Sequence, residues 1–166
     1  MLSLKSRTMK KIHITYTENE YETFTITEDS TVSIKHTRNY RWYDYIIMIN
    51  INQPKITVAL PDNYAGDVSV LNNNGEIYIG SINALGNYYC NTHNGKISIS
   101  NLDSQSIDFK TNNGDIVGDI TGSFQDYKID GKTKNGHSNL PSETFAGNRR
   151  LKAETNNGDI EIRFLG

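Results

Sequence analysis

The residues with the clearest potential for binding a ligand lie in one aromatic stretch, at positions 40–45. It reads YRWYDY, and its candidate ligand-binding residues are Tyr40, Arg41, Trp42, Tyr43 and Tyr45. Aromatic rings can stack on the flat C–H faces of sugars, while arginine side chains reach the polar groups. Aromatic residues also favour strands, so the same residues could fill a cap or shield a sheet edge. The stretch therefore predicts either a carbohydrate-binding loop or a cap.

Side chains typical of catalysis are present, but their spacing does not indicate an active site. His137 and Ser138 are sequence neighbours, and neighbours in a strand face opposite sides. No G-x-S-x-G motif accompanies them. A carbohydrate-active enzyme would need paired carboxylates on one face, and four aspartates that could supply them share no repeat position: Asp103, Asp108, Asp119 and Asp126. We predict that the chain has no catalytic residues and is not an enzyme, with a carbohydrate-active enzyme as the alternative.

Metal and cofactor sites are also not indicated. The four histidines show no short ligand spacing, and the single cysteine, Cys90, excludes a zinc cluster of cysteines and an internal disulfide. Calcium-binding β-rolls also stack Gly-Asp turns, but they repeat every nine residues as GGxGxD. Here Lys96 and His137 interrupt the acidic position. We therefore predict no metal and no cofactor.

The secondary-structure elements that would position any site flank a short sequence motif that occurs five times within 68–165. The copies read NNNGEI, THNGKI, TNNGDI, TKNGHS and TNNGDI, with glycines 20, 19, 22 and 22 residues apart. Apolar residues alternate with polar ones on both sides of each glycine, which predicts two strands per copy. Separate antiparallel hairpins would not need their apolar residues at the same distances from each glycine, whereas stacked coils would. The repeats therefore favour an all-β, right-handed parallel β-solenoid with coils of about 20 residues, with an antiparallel sandwich as the alternative.

Coil stacking predicts columns of equivalent residues. One is a structural turn ladder made of Asn74, Gly75, Asn94, Gly95, Asn113, Gly114, Asn135, Gly136, Asn157 and Gly158. Taken in sequence order, the column after the glycines alternates in sign: Glu76, Lys96, Asp115, His137 and Asp159. A third inward apolar column is predicted at Ile82, Leu102, Ile120 and Phe145.

The segments outside the repeats complete the predicted organisation. Residues 1–11 are expected to be a leader that is disordered or not native to the protein, and 12–166 a single solenoid domain. Within that domain, 12–66 would form an irregular cap with strands at 12–16, 24–27, 32–36, 45–51 and 56–60. The five regular repeats would occupy 67–166. Since no sequence follows the last coil, its exposed edge could allow homo-oligomerisation.

Composition limits the partners. The net charge is −2 with acids and bases mixed, which gives no electrostatic reason to expect nucleic acid. No apolar run approaches the ~20 residues of a membrane-spanning helix, and 1–11 has no signal-peptide core. The chain is thus expected to be cytoplasmic if it is complete as written. It is expected in the cell envelope or at the cell surface if it belongs to a longer anchored chain.

The run KITVALPDN at 55–63, the phrase V-x-V-x-x-x-N-G-E-I and the TNNGDI copies together resemble a known family. They are similar to the bacterial "putative adhesin" domains of unknown function, which are β-solenoids related to auto-transporter head domains. The resemblance covers about 55–164 and departs in the fourth copy, TKNGHS. It implies a cell-envelope or surface setting and carries over no catalytic residues.

The resemblance and the residues together favour a non-enzymatic, adhesin-like binding or scaffolding domain of the bacterial cell envelope. An envelope polysaccharide or a protein would then be the partner. Besides the enzyme mentioned above, the remaining alternative is an envelope-stress regulatory protein that acts through protein–protein contacts.

Overall fold

The computed structural model of the chain describes residues 3–9, 12–18, 22–28, 32–38, 56–60, 64–83 and 86–166. The chain divides into two units, Met1–Pro61 and Asp62–Gly166. The predicted strand at 45–51 lies outside the described residues, as does the aromatic stretch 40–45.

The first unit is built from antiparallel strands. They are β1 (Ser3–Met9), β2 (Ile12–Glu18), β3 (Glu22–Glu28), β4 (Val32–Arg38) and β5 (Ile56–Ala59). One sheet has the order β1-β2-β5, and β3 pairs with β4 in a second. Four of the predicted strands are confirmed, but they do not begin the solenoid. The two or three residues between consecutive strands of β1–β4 are too few for a parallel crossover, which needs a dozen or more.

Residues 1–11, which were expected to be a disordered leader, contain the strand β1. Residues Ser3–Met9 form β1, which pairs residue by residue with β2. The expectation of a disordered leader at 1–11 is therefore wrong for Ser3–Met9, because an edge strand can form through backbone hydrogen bonds to a single neighbour. The division of the rest of the chain into cap and repeats stays a prediction.

The second unit is the predicted parallel β-solenoid. Its strands are β6 (Val68–Asn74), β7 (Ile77–Asn83), β8 (Asn87–Asn94), β9 (Ile97–Asp103), β10 (Ser106–Asn113), β11 (Ile116–Thr121), β12 (Tyr127–Asn135), β13 (Arg149–Asn157) and β14 (Ile160–Leu165), with a short 3-10 helix at Phe124–Asp126. Every strand pairing in this unit is parallel among the described residues. In four of the repeats, one strand before the Asn-Gly turn and one after it enter two different sheets. In the fourth repeat only β12 is a strand, and after its turn Ser138 forms a single bridge with Ile160.

The coils do not stack in sequence order. The first sheet has the order β12-β13-β10-β8-β6, and the second has the order β14-β11-β9-β7. The coil of the fifth repeat therefore lies between the coils of the third and fourth repeats. The sequential column order expected from the repeats is wrong at this point.

The side chains of the fourth repeat explain its position at the end of the stack. Where the other repeats carry isoleucine it has Ser138, and where they carry alanine or a larger residue it has Gly131. An interior coil with these residues would leave gaps in the core, whereas a terminal coil packs on one side only. Leu140 is buried against Gly131 and closes this end, since a Cβ on Gly131 would lie 2.6 Å from the Leu140 Cβ.

The same end of the stack is covered by the chain itself. The Gly131 amide donates to the Pro141 carbonyl at 3.1 Å, and the Thr144 amide donates to the Ile129 carbonyl at 2.8 Å. The last repeat has no open edge in the first sheet, because β13 has β10 on one side and β12 on the other. On β14, the Asn139 side chain bonds both the amide and the carbonyl of Ile162. β14 is nevertheless the end strand of the second sheet, so self-association through the C-terminal edge stays a prediction.

Inward residues form the expected apolar columns. Tyr88, Ile107, Leu151 and Ile129 align in the first sheet, and Ile77, Ile97, Ile116 and Ile160 align in the second, all of them buried. The third column is Ile82, Leu102, Ile120 and Phe164. Phe145, the residue expected there, is 79% exposed because 141–148 connects the inserted coil and does not continue a strand. That assignment was wrong.

Candidate functional site

The T-x-N-G phrase holds neighbouring coils together at each turn. Threonine hydroxyls donate to the glycine carbonyl of the adjacent coil, from Thr92 to Gly75 at 3.4 Å and from Thr111 to Gly95 at 2.9 Å. The series continues with Thr155 to Gly114 at 2.9 Å and Thr133 to Gly158 at 2.8 Å. The threonines at 92, 111 and 155 are buried for this reason. This threonine is part of the repeated sequence motif, but no role was predicted for it from the sequence.

The asparagine ladder is present, with its last two members exchanged. The side-chain amide of Asn94 donates to the Asn74 oxygen at 2.8 Å, and that of Asn113 donates to Asn94 at 2.7 Å. Asn157 then bonds Asn113 at 2.6 Å, and Asn135 bonds Asn157 at 2.8 Å. Glycines stack beside them so tightly that a Cβ on Gly95 would lie 2.0 Å from the Gly75 carbonyl oxygen. Only glycine fits at this approach of two backbones.

The charged column does not alternate in sign as predicted, because Asp115 and Asp159 are neighbours. Their carboxylates instead accept backbone N–H groups of the next coil. The Asp159 amide donates to Asp115 Oδ1 at 3.0 Å, and the His137 amide donates to Asp159 Oδ1 at 2.7 Å. These acids thus take part in the coil-to-coil contacts of the turn. Among the described residues, no group of three or more His, Cys, Asp or Glu side chains is placed to hold a metal ion.

The outer face of the five-stranded sheet carries two rows of side chains on either side of the threonine column. One row is Leu71, Asn91, Lys110, Glu154 and Lys132, which occupy matched positions on the five strands. The other row contains His93, Asn112, Asn156 and Lys134, two positions further along their strands. Because the threonines between the rows are small and turned inward, the rows border an open groove.

This cross-strand groove consists of two adjoining depressions of about 430 Å³ each, which share Lys110 and Thr111. Its lining residues are 71–72, 91–93, 110–112, 154–156 and 132–134. It crosses all five strands, so at ~4.8 Å per strand spacing its length is about 19 Å. The groove is a concave surface that runs across the strands of five repeats, and it is the candidate binding site.

Charges in the groove are unevenly distributed. Lys110, Lys132 and Lys134 lie at the end nearer the inserted coil, together with Glu154. The Glu154 carboxylate lies 3.6 Å from the Lys110 amine and 3.1 Å from that of Lys152. Lys132 pairs with Asp130 at 2.8 Å, and this carboxylate raises the pKa of Lys132. The other end of the groove, lined by 71–72 and 91–93, has no Lys, Arg, Asp or Glu side chain, and Leu71 there is 73% exposed.

A second polar cluster lies where the inserted coil begins, and it is structural. Arg149 donates to the Ser104 carbonyl at 2.9 Å and to the Thr121 carbonyl at 3.1 Å, and it pairs with Asp103. Its guanidinium also lies over the Tyr127 ring, 4.7 Å from the centroid. Burial raises the Tyr127 pKa to about 12. Arg149 thereby fastens β13 to the ends of β9 and β11, which lie more than 25 residues earlier in the sequence.

The aspartates considered for catalysis have structural partners or lie apart. Asp103 pairs with Arg149, Asp119 forms two hydrogen bonds with Arg163, and Asp126 accepts the Ser123 amide at 2.7 Å. Asp108 lies on β10, in the other sheet from Asp119. The arrangement provides no carboxylate pair within the cross-strand groove.

Other sequence-predicted positions have mixed outcomes. Tyr88 is buried and Tyr89 is 37% exposed, in keeping with the alternation of inward and outward positions along β8. The hydroxyl of Ser138 donates to the Leu140 carbonyl at 3.2 Å, within the covered end of the stack. The ligand-binding prediction for Tyr40, Arg41, Trp42, Tyr43 and Tyr45 falls on residues outside those described and stays a prediction.

Sequence reasoning missed the groove lysines. The alternation K-T-K at 132–134 and the K-T pair at 110–111 place lysine beside the threonine column in two repeats. That signal was available, but their juxtaposition depends on the insertion of β13 between β10 and β12.

The fold and the groove define a parallel β-solenoid repeat domain with a polar outer face. The chain belongs to the Toastrack DUF4097 family, whose model matches residues 2–165. The chain is similar in fold to a crystal structure of a "putative cell adhesion protein" from Clostridium sporogenes, at 12% sequence identity and a TM-score of 0.62. The likeness covers 93% of this chain and 82% of that one. No curated protein matches the chain.

Within the described part of the chain, no helix has the length and apolar character needed to cross a membrane.

Proposed function

We propose that the chain is a non-enzymatic, adhesin-like binding domain that holds an extended cell-surface polymer in the cross-strand groove. The observation that carries the proposal is the continuity of the groove across all five strands. A site about 19 Å long, with side chains at equivalent repeat positions every ~4.8 Å, suits an extended ligand. Solenoids commonly use such extended surfaces for binding.

The chemistry of the groove supports binding without catalysis. Apart from Leu71, His93 and Glu154, its side chains are amides, hydroxyls and lysines, which can hold polar groups of a ligand through hydrogen bonds. Glycoside hydrolysis would need two carboxyl groups flanking the bond to be cleaved. The groove contains one carboxylate, that of Glu154, among its described lining residues.

A bacterial cell-surface setting is part of the proposal. It is supported by the description of the C. sporogenes structure as a "putative cell adhesion protein" and by the similarity of fold. Any anchor would come from outside the solenoid.

Blocking the groove tests this function. Fluorescently labelled protein would be sedimented with isolated bacterial envelopes, and the bound fraction measured for Asn112→Trp, which places a bulky ring in the groove. Glu161→Trp is the matched control, because Glu161 is exposed on the outer face of the other sheet. We expect binding of the wild type and the control and its loss in Asn112→Trp. Equal binding by all three folded proteins would contradict the proposal, as would no binding by any.

A further inference from the structure

We propose that the polymer held in the cross-strand groove is an anionic polysaccharide, whose acidic groups lie against Lys110, Lys132 and Lys134. This inference rests on the proposed function and adds the chemical class of its ligand. It is carried by the positions of the three lysines and by the contrast between this face and the charge of the whole chain.

The lysines form a regular array. Lys110 and Lys132 occupy the same row, separated by Glu154 on the strand between them. Their strands are two spacings apart, so their backbones lie about 9.6 Å from each other. Lys134 lies in the row across the groove. Three cations thus border one end of the groove on both sides.

Acids next to the groove lysines compensate their charge only in part, although Lys132 pairs with Asp130 at 2.8 Å. The Glu154 carboxylate is engaged by Lys152 and Lys110. Lys134 has no ion pair within 4 Å among the residues that the structure describes. With three lysines and one carboxylate, the groove carries a net charge of +2 at neutral pH.

The outer face around the groove is also net positive, in contrast to the negative net charge of the whole chain. Facing outward on β10, β12 and β13 are six bases and three acids: Lys110, Lys128, Lys132, Lys134, Arg150 and Lys152, with Asp108, Asp130 and Glu154. The chain as a whole has a net charge of −2. A face with a net positive charge, on a chain whose net charge is negative, attracts and orients a negatively charged ligand.

The other lining residues favour a polysaccharide over a nucleic acid. Asn91, Asn112 and Asn156 present amides that can donate to and accept from sugar hydroxyls. Single-stranded nucleic acids are held by bases stacked on aromatic rings. Among the described lining residues, none is Phe, Tyr or Trp.

Binding of defined polymers tests the inference. The probes are polygalacturonate, which has one carboxylate per sugar, neutral dextran, and single-stranded DNA, each titrated at 50 and 500 mM NaCl. The variant is Lys110→Gln/Lys134→Gln. The control is Lys35→Gln/Lys96→Gln, which removes the same charge at exposed positions outside the groove. All proteins are first compared by circular dichroism.

We expect polygalacturonate to bind, dextran to bind weakly, and the groove variant to lose about tenfold in affinity, since each exposed charge pair contributes up to ~1 kcal/mol. The control should keep the affinity of the wild type, and high salt should weaken binding because it screens exposed charges. Dextran binding equal to that of polygalacturonate would overturn the anionic class and leave the proposed function standing. Tighter binding of DNA would also overturn it. The absence of binding by every probe would count against both the inference and the polymer-binding function.

Discussion

A disulfide between positions 112 and 156 would report the order of the coils. The Asn156 side chain donates to Asn112 across adjacent strands, so the two side chains point at each other. Adjacent strands lie ~4.8 Å apart, which is within the Cα–Cα range of about 4.4–6.8 Å that disulfides need. The variant Asn112→Cys/Asn156→Cys should therefore oxidise readily. The native Cys90 should not interfere, because it is buried and burial raises its pKa to about 12.

The expected gain in stability follows from the length of the closed loop. The two positions are 44 residues apart, for which the loss of unfolded-chain entropy gives up to about 4 kcal/mol. Urea unfolding of the oxidised and reduced forms would measure this difference, and peptide mapping without reductant would identify the bond.

The matched control is Asn112→Cys/Lys134→Cys. In the observed order β13 separates these positions by two strand spacings, about 9.6 Å, which exceeds the limit of about 7 Å. With coils in sequence order, the control pair would be adjacent and the 112/156 pair would be two strands apart. Rapid oxidation of the control together with free thiols in the 112/156 variant would refute the inserted coil.

Four further predictions concern stability in urea. Gly158→Ala should lower the free energy of unfolding by about 3–4 kcal/mol, because at φ 151° the new Cβ would lie 2.1 Å from the Gly114 carbonyl oxygen of the next coil. Gly80→Ala, which has open space around the new Cβ, should leave the free energy of unfolding unchanged or raise it slightly. Tyr127→Phe should cost about 1 kcal/mol through loss of the 2.8 Å bond to a backbone carbonyl, whereas Tyr88→Phe should cost nothing, because its buried hydroxyl has no partner among the described residues. Arg149→Ala should cost about 2–4 kcal/mol, since it removes three hydrogen bonds and leaves an acid unpaired. Stability should fall between pH 10 and 12, because burial raises the pKa of both tyrosines from 10 to about 12, so the folded state favours their neutral forms and this contribution is lost as they ionise.

Each of these has an outcome that would contradict it. Equal effects of the two alanine substitutions would deny the close glycine stacking. A larger cost for Tyr88→Phe than for Tyr127→Phe would reverse the assignment of hydrogen bonds. An Arg149→Ala variant as stable as the wild type would remove the proposed role of this residue in holding the inserted coil. For the pH prediction, absorbance at 295 nm should show an ionisation near pH 12 that is missing from the Tyr88→Phe/Tyr127→Phe variant, and identical titration curves for the two proteins would contradict it.

The sequence predicted the solenoid because its signals are local and repeated. The Asn-Gly turns and the alternating apolar residues recur at fixed offsets, so the inward columns and the ladder could be assigned before the structure was known. The short connections between the predicted strands of the first unit also indicate antiparallel pairing, but they were not interpreted in this way.

The coil order could not be predicted from the repeat phrase. It depends on Arg149, whose partners lie 28 to 46 residues away, and on the fit of Leu140 over Gly131. The fourth repeat did carry a hint, since a coil with Ser138 and Gly131 at inward positions suits the end of a stack. The groove followed from the same insertion, because Lys110 and Lys132 flank Glu154 only when β13 lies between their strands.

The most direct test of binding in the cross-strand groove is an NMR titration of the 15N-labelled chain with oligogalacturonate and with dextran oligomers. We predict that at least one of them shifts amide signals within 91–93, 110–112, 132–134 and 154–156, while those of Glu161 and Arg163 on the opposite sheet stay unchanged. Shifts confined to the opposite sheet, or none with either oligomer at saturating concentration, would contradict the assignment of the groove as the binding site.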